Sequence, residues 1–264
     1  ASGLESFLLA NRKDSRQVGM TKQKMKEQIL LGKWTTDKLE QMLEEASKIR
    51  GSAARIDFIS KQFLNTDYKE STLTGDINTP EVFVINLEGV DCFTFVEYVE
   101  AMRISRSFSA FKENLKRIRY SSGAVSFKNR NHFFTDWKES NSDFVGDITG
   151  QAGTKKTKNI IKTLNKKEDE TRFLPGIPSK KRALKYIPSD VIDESVINNL
   201  QTGDYIGIYS EKPGLDVSHV GIIFKNRAAT YIRHASSEKK KVADDDFKKY
   251  ISGKPGVIVL RPKD

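Results

Sequence analysis

One cysteine and three histidines are all that this 264-residue chain has of the side chains most often used as thiol nucleophiles, imidazole bases and soft metal ligands. The single cysteine, Cys92, excludes an internal disulfide. No apolar run approaches the roughly 18 residues that a bilayer-spanning helix needs, so no transmembrane segment is predicted. Neither a CxxC nor an HExxH spacing occurs, and a zinc site made of Cys92 and two histidines is therefore only an alternative.

Positive charge outweighs negative charge: Lys and Arg number 45, Asp and Glu number 35, and the net charge is +10. The simplest interpretation is a well-solvated basic surface, and attraction to a polyanion is the alternative. No zinc-finger spacing, aromatic ribonucleoprotein box or arginine-rich arm is present, so nucleic acid is not the expected partner. An anionic cell-wall polymer fits the same charge.

The length predicts a single domain over residues 1–264, with an N-terminal helical extension over residues 1–50. Apolar residues at near-helical spacing predict two helices joined by a turn within residues 21–50. A further helix is expected around residues 53–64, and a short strand-like stretch at residues 81–87 leads to the cysteine.

The stretch Val90–Glu97 contains the only cysteine, where a strand-like segment meets a helix. Apolar residues recur at helical spacing after it and Asp91 suits an N-cap, so Cys92 is expected in the first turn. The free amides and dipole of a helix N-terminus favour a thiolate and can donate to an oxyanion. Cys92 is therefore a candidate nucleophile with a thiol pKa below that of a free cysteine. A buried, inert cysteine is the alternative.

Residues 105–200 are rich in Lys, Asn, Ser and Asp and contain several turn signals. They are interpreted as a large, partly ordered insertion that lines the cleft and contributes little to the core. After Gly203 the pattern changes to strands, and their close spacing predicts an antiparallel sheet. These strands are expected at residues 204–210, 217–224, 229–234 and 256–261.

Two histidines lie in neighbouring strand-like segments. His219 shares one face of its strand with Gly221 and Ile223, and the glycine leaves space for an approaching group. His234 follows fifteen positions later, which suits a hairpin partner that bonds to the His219 ring and fixes its tautomer. One cysteine with two such histidines suggests a thiol-imidazole hydrolase. The alternative for each histidine is a core or edge residue whose ring nitrogens are hydrogen-bonded and which takes no part in catalysis.

Six separated segments, in one order between about Ile59 and Pro262, resemble the NlpC-type papain-like cell-wall hydrolases. Within them, the chain is similar to a branch of N-acetylmuramoyl-L-alanine amidases from Gram-negative gut bacteria. So many ordered matches are more specific than any single motif. The segments are Phe63–Tyr68 with Thr72-Leu73, Val90–Glu97, Asn129–Trp137, Phe173–Pro175, Gly214–Gly221 and Arg233–Ser236.

The resemblance implies a role for each matching residue. Cys92 would be the nucleophile, His219 the base and His234 the third member that orients the base. Tyr68 would bind the oxyanion beside the thiol, although Asp67 stands where proline is usual. The other residues implied at the oxyanion or substrate are Asp91, Arg130, His132, Asp136, Trp137 and Ser218.

Two contacts with substrate are expected within the segment Arg130–Trp137. Trp137 or Phe133 would pack on a sugar face, and Arg130 would pair with a stem-peptide carboxylate through a two-pronged hydrogen bond. An exposed loop with an ordinary aromatic anchor is the alternative for this segment.

The predicted fold is an α+β papain-like domain in which the helix with Cys92 packs on an antiparallel sheet with His219 and His234. The implied activity is hydrolysis of the amide between N-acetylmuramic acid and L-alanine in peptidoglycan or muropeptides, without cofactor or metal. That substrate implies a periplasmic or secreted protein, and the start at Ala1 without methionine suggests a processed or trimmed chain. The alternatives are a D-glutamyl-diamino acid endopeptidase of the same superfamily, a non-catalytic wall-binding module and a basic nucleic-acid binder.

Overall fold

The computed structural model describes residues 27–264, which form a mixed α+β fold around one large sheet. The helices are α1 Thr36–Lys48, α2 Ser52–Lys61, α3 Cys92–Arg103, α4 Phe108–Arg119, α5 Phe134–Ser140, α6 Thr149–Gly153, α7 Glu194–Asn199 and α8 Phe247–Ile251. The strands are β1 Glu27–Leu30, β2 Asp67–Tyr68, β3 Phe83–Asn86, β4 Gly89–Val90, β5 Val145–Asp147, β6 Lys158–Leu164, β7 Lys180–Pro188, β8 Tyr205–Tyr209, β9 Val217–Lys225, β10 Thr230–Ser236, β11 Lys241–Asp246 and β12 Gly256–Pro262. No helix of this region is both long and apolar enough to cross a membrane.

The ten-stranded sheet has the order β4-β2-β11-β10-β9-β8-β12-β7-β6, and β5 also pairs with β12. The four strands expected after Gly203 are β8, β9, β10 and β12, and their antiparallel pairing is confirmed. The sheet as a whole is larger than expected and mixed, because β2 runs parallel to β4. Strand β11 continues the series as an antiparallel neighbour of β10 and was missed within a lysine-rich and aspartate-rich stretch.

Helix α3 begins at Cys92, and Asp91 is its N-cap as predicted. The Asp91 carboxylate accepts hydrogen bonds from the backbone amides of Phe93 and Thr94, at 2.9 and 2.8 Å, and the Thr94 hydroxyl accepts from the Asp91 amide at 3.1 Å. This reciprocal capping box fixes where the helix starts. All twelve residues of α3 are buried. The sequence predicted an amphipathic helix with one exposed face, but α3 lies in the centre of the fold and has no exposed face.

The main core surrounds α3, with side chains from the sheet on one side and from helices α1, α2 and α4 on the others. Residues 105–200 contribute to it through Phe111, Leu115, Ile118 and Trp137, each fully buried. The expectation that this region carries little of the core is therefore wrong. Its polar composition reflects exposed faces of α4 and of the β6–β7 ribbon, whose buried sides face the rest of the molecule.

The N-terminal region differs from the expected pair of helices. Residues 1–26 lie outside the described residues. They include the start of the first expected helix and about half of the extension expected over residues 1–50. Residues Glu27–Leu30 are strand β1, which pairs in parallel with β3, and the second expected helix is α1. The strand forms because β3 offers a free edge, a partner more than fifty residues away that local periodicity does not reveal.

Candidate functional site

Cys92 is buried at the first position of α3, next to strand β9. The backbone amides of Val220, Cys92 and Phe93 are close enough to the thiol to lower its pKa. Val220 immediately follows His219, so the packing of α3 on the sheet brings the only cysteine beside the strand of the predicted base.

The pKa of the Cys92 thiol is nevertheless raised, contrary to the sequence-based expectation. Burial is the main cause and the Asp91 carboxyl is the second, and together they outweigh the three amides. Burial likewise lowers the pKa of His219, helped by His234 and Lys254. Both shifts favour an uncharged thiol beside a neutral imidazole.

His219 and His234 form the predicted pair between neighbouring strands. The Nε2 atom of His219 lies 2.8 Å from the Nδ1 atom of His234, and the two rings meet edge to face at 89°. Both residues are buried, with 7% of the surface of His219 and 2% of that of His234 exposed. The antiparallel pairing of β9 with β10 sets this geometry.

Three further residues border the histidine pair and were not anticipated. Asp245 on β11 places its Oδ2 atom 2.9 Å from Nε2 of His234. The Tyr250 ring on α8 lies 4.8 Å from the His234 ring and 6.1 Å from the His219 ring. The Lys254 ammonium lies 5.6 Å from the centre of the Tyr250 ring. All three come from β11 and the segment after it, a stretch rich in Lys and Asp for which no strand was expected.

Gly221 does not provide space for an approaching group. A Cβ atom there would lie 2.7 Å from the side chain of Ile232 on β10. The missing side chain instead allows β9 and β10 to pack closely while Ile232 covers the same face as the histidines.

Tyr68 reaches the site from strand β2, which pairs with β11 and β4. Its hydroxyl is buried and makes no hydrogen bond of normal length and angle with the described residues, although the Glu70 carboxylate is near enough to contribute to its raised pKa. Burial raises the pKa of the Tyr68 phenol, and the next largest contribution comes from the charge of Cys92. Asp67, which stands where proline is usual, is an exposed residue of the same strand, and Tyr68 after it is buried.

The side chains of Arg130 and His132 are buried and bond to groups within the protein, so neither is exposed to a substrate. The Arg130 guanidinium donates to the Glu81 carboxylate at 2.5 Å and to the Gly75 carbonyl at 2.9 Å, and is almost fully buried. His132 Nε2 lies 2.8 Å from the Phe127 carbonyl oxygen, and burial lowers the pKa of His132 to about 3. The expected pairing of Arg130 with a substrate carboxylate is therefore replaced by an internal ion pair.

The remaining expected contacts are also internal. Trp137 is completely buried and packs on the rings of Phe93, Phe134 and Tyr205, so it offers no face to a sugar. Phe133 is 2% exposed and equally unavailable.

Asp136 and Ser218 also bond within the chain. Asp136 pairs with Arg182, and the Ser218 hydroxyl donates to the Ile208 carbonyl at 3.4 Å. Arg130, His132 and Asp136 line a cavity of about 220 Å³ whose lining includes neither Cys92 nor the paired histidines.

Two of the segments behind the resemblance hold each other in place. The buried Asp216 carboxylate accepts hydrogen bonds from the Thr135 amide at 2.7 Å and the Thr135 hydroxyl at 2.8 Å. Thr135 belongs to the segment Asn129–Trp137, and Asp216 lies three residues before His219. The segment Asn129–Trp137 therefore holds the start of strand β9, which contains His219, in position. Across residues 27–264, no group of three or more His, Cys, Asp or Glu side chains is arranged to hold a metal ion.

A family model described as AmiA-like, N-acetylmuramoyl-L-alanine amidase-like, matches residues 58–257. This range contains the capped cysteine, both paired histidines and Asp245. No curated protein matches the chain significantly.

Several solved structures share the fold. A Legionella pneumophila protein has a TM-score of 0.74 at 23% identity, over 87% of this chain and 94% of its own. An N-acetylmuramoyl-L-alanine amidase from Bacteroides uniformis has a TM-score of 0.68 at 28% identity, over 81% of this chain and 100% of its own. A Bacteroides fragilis protein provisionally described as a xylanase has a TM-score of 0.64 at 26% identity, over 76% of this chain and 98% of its own.

Proposed function

The chain belongs to the AmiA-like, N-acetylmuramoyl-L-alanine amidase-like family of cell-wall hydrolases, and on that premise we propose that it is a cysteine amidase. The bond it cleaves is the amide between the lactyl group of N-acetylmuramic acid and the L-alanine of the stem peptide. The observation that carries the proposal is the position of the only cysteine, at the capped start of a buried helix and beside the strand of a paired histidine. The resemblance of the sequence to the papain-like NlpC-type enzymes, in which the matching cysteine and histidine are nucleophile and base, supports the same roles for Cys92 and His219.

His219 is the general base in this proposal. One of its ring nitrogens, Nε2, is bonded to His234, so Nδ1 is the nitrogen available for the thiol. Because the thiol and the imidazole are both uncharged at rest, proton transfer accompanies attack on the substrate. A buried ion pair formed before the substrate arrives is not required.

Attack of the Cys92 sulfur on the lactyl carbonyl forms a tetrahedral oxyanion. The Cys92 amide, at the start of α3, and the Tyr68 hydroxyl are its proposed donors. The Phe93 amide is less suitable because it already donates to the Asp91 carboxylate. Collapse of the oxyanion breaks the carbon–nitrogen bond, and His219 returns the proton to the leaving L-alanine amine. Water then hydrolyses the thioester to release the muramic acid.

Peptidoglycan as substrate implies that the protein works in the cell envelope or outside the cell. The net charge of +10 supports this, because it attracts anionic wall polymers at long range.

Bond mapping distinguishes this activity from the alternatives. A purified muramyl tetrapeptide is digested with the wild-type protein and with Cys92→Ala, and the products are identified by mass spectrometry. The proposal expects an intact tetrapeptide with a new L-alanine amino terminus from the wild type alone. Muramyl-L-alanyl-D-glutamate with a dipeptide would identify an endopeptidase. No product would favour a wall-binding module, and reducing sugar from xylan would favour the glycosidase described for the Bacteroides fragilis relative.

A further inference from the structure

The hydrogen-bonded chain that begins at His219 continues through His234 to a carboxylate on the next strand. The links are 2.8 Å from His219 Nε2 to His234 Nδ1 and 2.9 Å from His234 Nε2 to Asp245 Oδ2. The register places Asp245 opposite Ile232, so it shares the face of the sheet that carries His234. Three adjacent strands, β9, β10 and β11, thus supply one residue each.

The Asp245 carboxylate is charged, because hydrogen bonds from Lys239 and His234 lower its pKa in spite of partial burial. A charged carboxylate only accepts hydrogen bonds, so Nε2 of His234 must carry a proton. In a neutral ring, Nδ1 of His234 is then an acceptor, and Nε2 of His219 must carry the proton that is donated to it. The remaining nitrogen of His219, Nδ1, is left without a proton.

We propose that Asp245 is a positioning residue that fixes the tautomers of both histidines and so leaves Nδ1 of His219 free to accept the Cys92 proton. The inference rests on the proposed roles of Cys92 and His219. Without an acceptor at residue 245, both rings can adopt the opposite tautomer, which puts a proton on the nitrogen that should act as the base.

Lys239 makes the effect of an asparagine at residue 245 predictable. Its ammonium donates to Oδ1 of Asp245, while His234 bonds to Oδ2. An ammonium is a donor only, so in Asp245→Asn the amide oxygen faces Lys239 and the amide NH₂ faces His234. The NH₂ group donates to His234 Nε2 and reverses both tautomers. The near-isosteric variant should therefore be more damaging than the truncated one.

The test compares Asp245→Asn, Asp245→Ala and the double variant Lys239→Met/Asp245→Asn by kcat on muropeptides. We expect Asp245→Asn to lose at least about 100-fold in kcat and to be several-fold slower than Asp245→Ala, with KM within twofold of wild type. Removing Lys239 lets the amide turn its oxygen to His234, so the double variant should recover at least tenfold over Asp245→Asn. Lys249→Met, at an exposed lysine on α8 whose ammonium contacts neither Asp245 nor the two histidines, is the matched control and should stay within threefold of wild type.

A second measurement reads the tautomers without substrate. Long-range ¹⁵N–¹H spectra of the untagged protein report the protonated nitrogen of each of its three histidines, with His132 as an internal reference. We expect Nε2–H on His219 and His234 in the wild type and Nδ1–H on both in Asp245→Asn. Nδ1–H on His234 in the wild type would overturn the inference, as would an Asp245→Asn variant more active than Asp245→Ala. The expected tautomers without any hydrolysis would instead contradict the proposed function alone.

Discussion

Glu97 and Arg119 form a fully buried ion pair, with 2.7 Å between Glu97 Oε2 and Arg119 Nε, on the helix that begins at Cys92. Glu97 lies on α3 and Arg119 at the end of α4, and the guanidinium also donates to the Val84 carbonyl at 2.6 Å. One arginine therefore connects helix α3, which begins at Cys92, to α4 and to strand β3. Through this connection, residues 105–200, despite their polar composition, help to hold the helix of the candidate site in position.

Arg119→Met should lower the free energy of unfolding by about 3–5 kcal/mol, because it leaves the Glu97 carboxyl buried without its partner. The double variant Glu97→Leu/Arg119→Met should recover most of that loss, since no charge is then buried alone. Urea unfolding measures both values. Arg106→Met, at an exposed position just before the same helix, is the matched control and should change the free energy by no more than about 0.5 kcal/mol. A loss for Arg119→Met no larger than this control would contradict the role of the pair.

The activity should persist at pH values where an ordinary histidine is protonated. The pKa of His219 lies well below 6.5, so its neutral, basic form remains as the pH falls through 6.5. The pKa of Cys92 lies above 9.0, so the thiol remains protonated as the pH rises through 9.0. The acid limb of kcat/KM should therefore lie below pH 6.5, and alkylation of Cys92 by iodoacetamide should show its inflection above pH 9. An alkylation inflection well below 9 in folded protein would indicate a preformed thiolate–imidazolium pair.

His132 should make the fold sensitive to acid. Its pKa is about 3 in the folded protein and 6.5 when unfolded, so stability is complete above 6.5 and is lost as the pH falls towards 3. Between pH 6.5 and 4 the loss from this group is about 3 kcal/mol. His132→Gln keeps a donor for the Phe127 carbonyl but does not titrate. We expect the wild type to lose about 3 kcal/mol more than this variant over that range in urea unfolding, and equal losses would show that His132 is not the cause.

Trp137→Phe should lower stability and leave substrate binding unchanged. The indole is fully buried among aromatic rings, so the smaller ring leaves a cavity that costs about 1–2 kcal/mol of unfolding free energy. Thermal or urea unfolding and KM on muropeptides check the two parts. A severalfold rise in KM at unchanged stability would instead support the sugar-binding role that the sequence analysis expected for Trp137.

Local patterns were sufficient to predict the elements that contain the proposed catalytic residues. The N-cap and apolar spacing around Cys92 predict α3, and alternation with turn residues predicts the β9–β10 hairpin that pairs His219 with His234. In both cases the deciding interactions lie within about twenty residues along the chain.

Other parts of the site depend on contacts that the sequence does not show. Asp245 reaches His234 only through the register of β11, and its neighbouring charges gave no sign of a strand. Trp137 matched a family segment, but its burial depends on packing between α5, α3 and β8. The direction of the Cys92 pKa was misjudged because a helix N-terminus is visible in the sequence and the depth of burial is not.

Loss of activity in single variants is the first test of the mechanism. Cys92→Ala and His219→Ala should each abolish hydrolysis of muropeptides in a protein that still unfolds cooperatively, because both belong to one catalytic unit. His234→Ala should be milder, since His234 acts through His219.

The acyl-enzyme tests the central claim most directly. Wild-type protein is mixed with a muramyl tetrapeptide and quenched in acid within milliseconds to seconds, and the masses of the intact protein and of its peptic peptides are measured by mass spectrometry. We predict an adduct on the peptide containing Cys92 whose mass equals the N-acetylmuramyl acyl group, and none in Cys92→Ala. An adduct containing muramyl-L-alanyl-D-glutamate would contradict the assigned bond, and full turnover by Cys92→Ala would contradict the nucleophile and with it the whole account.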